Sequence, residues 1–80
     1  MVRVLLFAQA AEAAGTSVCE WSVATPQQAQ AFWDWLLAVH PALARMAKVC
    51  SLARNGDYMR DNEMILPGDE LAVLPPVSGG

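Results

Sequence analysis

The sequence closes on Pro75-Pro76-Val77-Ser78-Gly79-Gly80, and its last group is the one with the plainest route to chemistry. Two glycines give a tip without side chains, slim enough for a channel that would refuse any other residue. They present a bare α-carboxylate. Pro75 and Pro76 stiffen the approach, so the segment reads as an arm holding that carboxylate away from a body. From Pro76 to Gly80 an extended arm reaches about 16 Å, far enough to enter another protein's active site. A carboxylate is a poor electrophile at neutral pH. Converted to an acyl-adenylate with ATP it becomes a good one, and a sulfur nucleophile that displaces the adenylate leaves a thiocarboxylate.

The side chains offer less. His40 is the single histidine, it precedes Pro41, and it reads as a surface or capping residue. No Ser-His-Asp or Cys-His set assembles. The five glycines are too dispersed for a dinucleotide or phosphate loop. Cys19 and Cys50 have neither metal-ligand nor CxxC spacing and read as buried reduced thiols. Asp57, Asp61, Glu63, Asp69 and Glu70 fall around turns, where solvated turn chemistry accounts for them. No metal site is expected.

Eighty residues make one small domain. An apolar fraction of 55% against 16% charged, with three tryptophans, is more apolar surface than so small a core needs, and the surplus suits a partner. A net charge of −3 argues against nucleic acid and anionic membrane surfaces and is compatible with a basic protein partner. The apolar run after Arg3 is too short for a signal peptide, and nothing approaches a membrane span. The expected location is cytoplasmic.

The elements that must hold the arm read as follows. Residues 2–8 form a buried strand, and residues 10–15 a helical turn closed by Gly15. Residues 16–23 alternate as a half-buried strand antiparallel to the first, with Cys19, Trp21 and Val23 on one side. Thr25, Pro26 and Gln28 make a capping-box start for a helix. Its apolar stripe is Ala29, Phe32, Trp33, Leu36 and Leu37; Trp35 falls off the stripe, at the rim or exposed. Pro41 ends this helix near Val39 and starts a short one through 43–47. Residues 49–54 form a third strand, Asn55-Gly56 a hairpin turn, and residues 58–60 the return. A connector over 61–66 and the Pro67-Gly68-Asp69 turn lead to a last strand over 70–74. One helix covering a mixed sheet makes a two-layer α+β domain over residues 1–75, with a tail over 76–80. If the first and last strands are neighbours, the tail leaves beside the N-terminal strand.

The chain resembles the family of molybdopterin synthase small subunits, ubiquitin-like β-grasp sulfur carriers. The most specific segment is Pro67-Gly68-Asp69-Glu70-Leu71-Ala72-Val73-Leu74 running into the Pro-Pro-Val-Ser-Gly-Gly ending. The opening Val4-Leu5-Leu6-Phe7-Ala8-Gln9-Ala10, with Glu12 and Gly15, is a second match, and Arg54-Asn55-Gly56 a third. The resemblance implies that an adenylating activator, using ATP and magnesium, forms the acyl-adenylate on Gly80. A persulfide sulfur donor then makes the thiocarboxylate. It implies that the tail inserts into a large subunit, within a heterotetramer of two small and two large chains. There Gly80 gives sulfur to cyclic pyranopterin monophosphate, building the dithiolene of molybdopterin. Acid, base and phosphate-binding groups belong to the large subunit. Gly80 carries sulfur, Gly79 permits close approach, and Pro75, Pro76, Val77 and Ser78 form the arm. Phe7, Tyr58 and Leu74 occupy positions where the family presents an apolar face. Trp33 and Trp35 in one helix, and Val73-Leu74 where relatives often carry aromatics, depart from the pattern.

Three other readings compete. A thiamin-thiazole sulfur carrier shares the tail chemistry but is typically shorter and lacks Pro-Pro-Val. A ubiquitin-like modifier would end on a substrate lysine. A bare interaction module would carry an inert tail.

Overall fold

The computed structural model describes residues 1–76. Val77, Ser78, Gly79 and Gly80, the tip of the expected tail, lie outside the described residues. The elements are β1 (Val2–Leu6), α1 (Ala8–Ala14), β2 (Val18–Trp21), α2 (Ala29–Val39), a 3-10 turn (Pro41–Leu43), α3 (Ala44–Ala47), β3 (Ser51–Arg54), β4 (Asp57–Tyr58) and β5 (Glu70–Leu74). The strands form one mixed sheet in the order β2-β1-β5-β3-β4. β1 and β5 are parallel and central, and the other pairs are antiparallel. The first and last strands are therefore neighbours, and Pro75 leaves from the middle of the sheet.

Alternation sets the two faces. Val2, Val4 and Leu6 of β1, Leu71 and Val73 of β5, Leu52 of β3 and Trp21 of β2 point to one side. There they meet Ala10 of α1, Phe32 and Leu36 of α2, Leu43 and Ile65 in a single core. α2 binds because its apolar positions recur at helical spacing. Trp35, off that stripe, is half-buried and stacks on Trp21 with ring centroids 5.7 Å apart.

Several boundaries differ from those expected. α2 begins at Ala29 and no side chain caps it. Thr25 is not its cap: the Thr25 hydroxyl accepts from Gln27 Nε2 at 3.1 Å. The reason lies in Gln27, whose backbone is extended in a bridge with Ile65, exchanging N–H···O bonds of 2.8 and 2.7 Å. That bridge gives the expected connector a buried anchor and delays the helix. β1 stops at Leu6, two residues early, because the chain turns into α1 at Ala8 (φ +48°). β2 is shorter than the alternation suggested. Val49 and Cys50 belong to the turn after α3, both donating to the Met46 carbonyl, at 3.0 and 3.1 Å, so β3 starts at Ser51. The Asn55-Gly56 turn forms, with φ of +52° and +92°, the two positive values a tight hairpin needs. Its return strand is only Asp57–Tyr58.

Asp69 departs most. Its place in a turn predicts solvated turn chemistry, yet it is 8% exposed. Arg54 Nε donates to its Oδ2 at 2.6 Å, the Leu66 N–H to the same oxygen at 2.7 Å, and Asn55 Nδ2 to Oδ1 at 3.0 Å. Arg54 Nη1 also reaches Glu63 Oε2 at 3.1 Å. Asn55 completes the tie, its Oδ1 accepting from the Glu70 N–H at 2.9 Å. The carboxylate thus pins the hairpin to the turn that launches β5. Burial alone would push the Asp69 carboxyl up. The hydrogen bonds from Arg54, the Leu66 N–H and Asn55, with the Arg54 charge, outweigh it and hold the group below the usual carboxylate range. Folding therefore favours the charged form. Its contribution is complete above the unfolded pKa of about 4 and is lost as pH falls through the lower folded value. Asp69→Ala is expected to lose about 2–3 kcal/mol at neutral pH, because three donors are left without their partner. The variant's melting temperature should also fall less steeply with acid than the parent's. An unchanged acid slope would remove Asp69 from this role.

Candidate functional site: the open sheet face and the root of the tail

The face of the sheet away from the helices carries no covering element among the described residues. Register places Val18, Leu5, Ala72, Ala53 and Tyr58 side by side across all five strands. This is an unbroken apolar row from one edge of the sheet to the other. Val18 and Tyr58, at its ends, are 41% and 72% exposed. A charged row runs beside it, with Arg3 between Glu20 and Glu70. On its other side stand Phe7, Leu74 and Ser51, with Leu74 paired to Ser51. Phe7 keeps extended geometry (φ −116°, ψ 153°), so its side chain continues the alternation of β1 onto the open face.

The tail starts at this third row. The Phe7 N–H donates to the Val73 carbonyl at 3.4 Å, the last bond between β1 and β5. Pro75 and Pro76 have no N–H and no means of extending the ladder. Whatever docks on the open face therefore sits at the base of the arm. Of the positions named from sequence, Phe7 and Leu74 come together at the tail's root, and Phe7 is 45% exposed. Tyr58 lies on the same face two strands away. Pro75 is half-buried and Pro76 exposed. Gly80, Gly79, Ser78 and Val77 are outside the described residues.

Sequence reasoning missed Leu5, Val18, Ala53 and Ala72. The signal was present in part, since β1 and β5 are apolar at positions facing both ways. It stayed hidden because membership of one row needs the register of five strands. Cys19 and Cys50 are half-buried rather than buried, and both are free. Burial pushes both thiols up, the opposite of what a nucleophilic thiolate needs. Among the described residues, the arrangement is an open apolar face at the root of the C-terminal segment.

The chain is similar to known proteins. The chain is 36% identical to the molybdopterin synthase sulfur carrier subunit of Chlamydomonas reinhardtii, over 99% of this chain and 98% of that one. It is 37% identical to the protein of the same name from Homo sapiens, over 99% and 93%. The crystal structure of SAMP1 from Haloferax volcanii superposes with a TM-score of 0.83 at 34% identity, covering 99% of this chain and 98% of the other. The fold is a ubiquitin-like β-grasp. A family model described as ThiS family matches residues 4–80, and the chain belongs to that family.

Proposed function

We propose that this chain is the sulfur-carrier subunit of a molybdopterin synthase. The observation that carries the reading is its similarity, across nearly the whole chain, to proteins named for that role. The departure of Pro75 from the centre of the sheet, beside an apolar row whose ends, Val18 and Tyr58, are exposed, supports it. In this reading the Gly80 carboxylate attacks the α-phosphate of ATP on an activating enzyme, releasing pyrophosphate. The outer sulfur of a persulfide donor then attacks the acyl carbon and displaces AMP. A second thiol of the donor cleaves the resulting acyl disulfide, forming a disulfide on the donor and leaving the thiocarboxylate. The large subunit docks on the open face and receives the arm in a channel that admits glycine. The thiocarboxylate sulfur passes to cyclic pyranopterin monophosphate, and two deliveries complete one dithiolene. The chain is one half of a sulfurtransferase, as two small subunits in a heterotetramer, and contributes no acid or base from its side chains. ATP and magnesium serve the activator; the chain itself holds no cofactor.

Phe7→Asp tests the docking face. Phe7 is exposed and is the N-cap residue of α1, a position where aspartate is favourable, so the fold is kept. The expected result is a large-subunit affinity weakened by about 2 kcal/mol, roughly 30-fold, with an unchanged melting temperature. Titration calorimetry against the large subunit decides it, and unaltered affinity would remove the open face from the interface.

A second reading is favoured by the SAMP1 match, since that family member is named a small archaeal modifier protein. There the activated Gly80 would acylate a lysine and form an isopeptide bond. Tryptic Gly-Gly remnants on lysines of other proteins, dependent on Gly80, would support it. Their absence leaves sulfur delivery as the use of the tail.

A further inference from the structure

Side chains outside the sheet stand beside the first residues of the arm. Gln9 of α1, Met46 of α3 and Val49 of the following turn line a cleft of about 190 Å³ with Pro75 and Pro76. Met46 leans on the core. Its carbonyl holds the Val49 and Cys50 N–H groups, which fixes this wall. Val49 is different: it is 60% exposed and lies outside the core cluster. An exposed valine in a tight turn does nothing for packing, yet this one faces the first residues of the arm. The prolines lock φ near −65°, so Pro75 and Pro76 make a short stiff lead beyond the last ladder bond. A stiff lead held at one end sweeps a wide cone unless something stops it. The body-side limit of that cone is the Met46-Val49 wall.

We propose that Val49 and Met46, with Gln9, are positioning residues that aim Pro75 and Pro76, so that the C-terminal segment starts out along one direction relative to the open face. This rests on the sulfur-carrier reading only for its consequence in catalysis. The aiming itself is a property of the free chain. Its value follows from the geometry of transfer. The reacting atoms must come within about 3–3.5 Å, and misaiming at the root is magnified along an arm of about 16 Å.

Two measurements on Val49→Ala and Val49→Ile test it. In the free carrier, nuclear Overhauser contacts between the residue-49 methyls and the Pro76 ring are expected for the parent and the isoleucine variant. They should be lost in the alanine variant, with lower order at the Val77 amide. In single-turnover sulfur transfer at saturating large subunit, Val49→Ala is expected to slow the step roughly three- to tenfold, and Val49→Ile to restore it. Affinity for the large subunit and the melting temperature should stay at the parent's values. The proposal is overturned if the parent lacks the Val49–Pro76 contact. It is also overturned if Val49→Ala transfers at the parent rate, or if its rate loss follows weaker docking. If the parent thiocarboxylate itself delivers no sulfur, the functional reading fails, and the contacts in the free carrier still decide the aiming.

Discussion

A chain lacking Gly80 is expected to deliver no sulfur to the pterin precursor while melting at the temperature of the intact protein. The fold should be indifferent to the deletion, because the buried core among the described residues runs from Val2 to Val73. The last described ladder pair is Leu74 with Ser51. The chemistry should not be indifferent. Deletion leaves a carboxylate on Gly79, about 3.5 Å short of its target. Transfer needs the reacting atoms within about that same distance, and a 1 Å misplacement already costs on the order of 100-fold. In the proposed function the shortened arm is therefore expected to fail twice, at the activating enzyme and at the large subunit. Mass spectrometry after incubation with activator, ATP and a sulfur donor should show the full chain exchanging one oxygen for sulfur and the deleted chain unchanged. Turnover by the deleted chain would mean that the carrier chemistry does not need Gly80 or the full length of the arm.

The second large effect is on stability. Phe32→Ala is expected to cost about 3–5 kcal/mol, the usual range for removing a buried aromatic ring. Phe32 is fully buried at the junction of helix and sheet. It is also the hub of the aromatic cluster, edge-on to Trp21 at 5.6 Å and to Trp33 at 5.3 Å, and tilted to Trp35 at 6.1 Å. An 80-residue domain has a stability of about 4–12 kcal/mol in all, so the variant should be largely unfolded well below the parent's melting temperature. The near-ultraviolet circular dichroism of the tryptophans should collapse with it, since their rings are ordered against Phe32. A melting temperature within a few degrees of the parent would show that the cluster closes over the gap.

The fold was legible where single residues dictate backbone geometry. Gly15 caps α1 at φ +75°, Asn55-Gly56 turns the hairpin, and Pro41 divides α2 from the short helix after it. It was not legible where a distant partner decides. Thr25 carries a good local capping signal, but Gln27 pairs with Ile65, and a backbone bridge outweighs a side-chain cap. Asp69 looks like any turn aspartate until Arg54, fifteen positions earlier, folds onto it. The candidate site divides in the same way. Phe7 and Leu74 stand out by position beside the tail. Leu5, Val18, Ala53 and Ala72 become a surface only once the parallel pairing of β1 with β5 aligns the whole row.

In the proposed function Gly80, as a thiocarboxylate, gives its sulfur to a pterin precursor on a large synthase subunit. The most direct test bypasses the activator. The Gly80 thiocarboxylate is made by semisynthesis, mixed with a large subunit and cyclic pyranopterin monophosphate, and the molybdopterin formed is counted against carrier consumed. The predicted result is molybdopterin in proportion to carrier, with one sulfur lost from each chain. A stable complex that forms no molybdopterin would contradict it and would assign the tail to another acceptor.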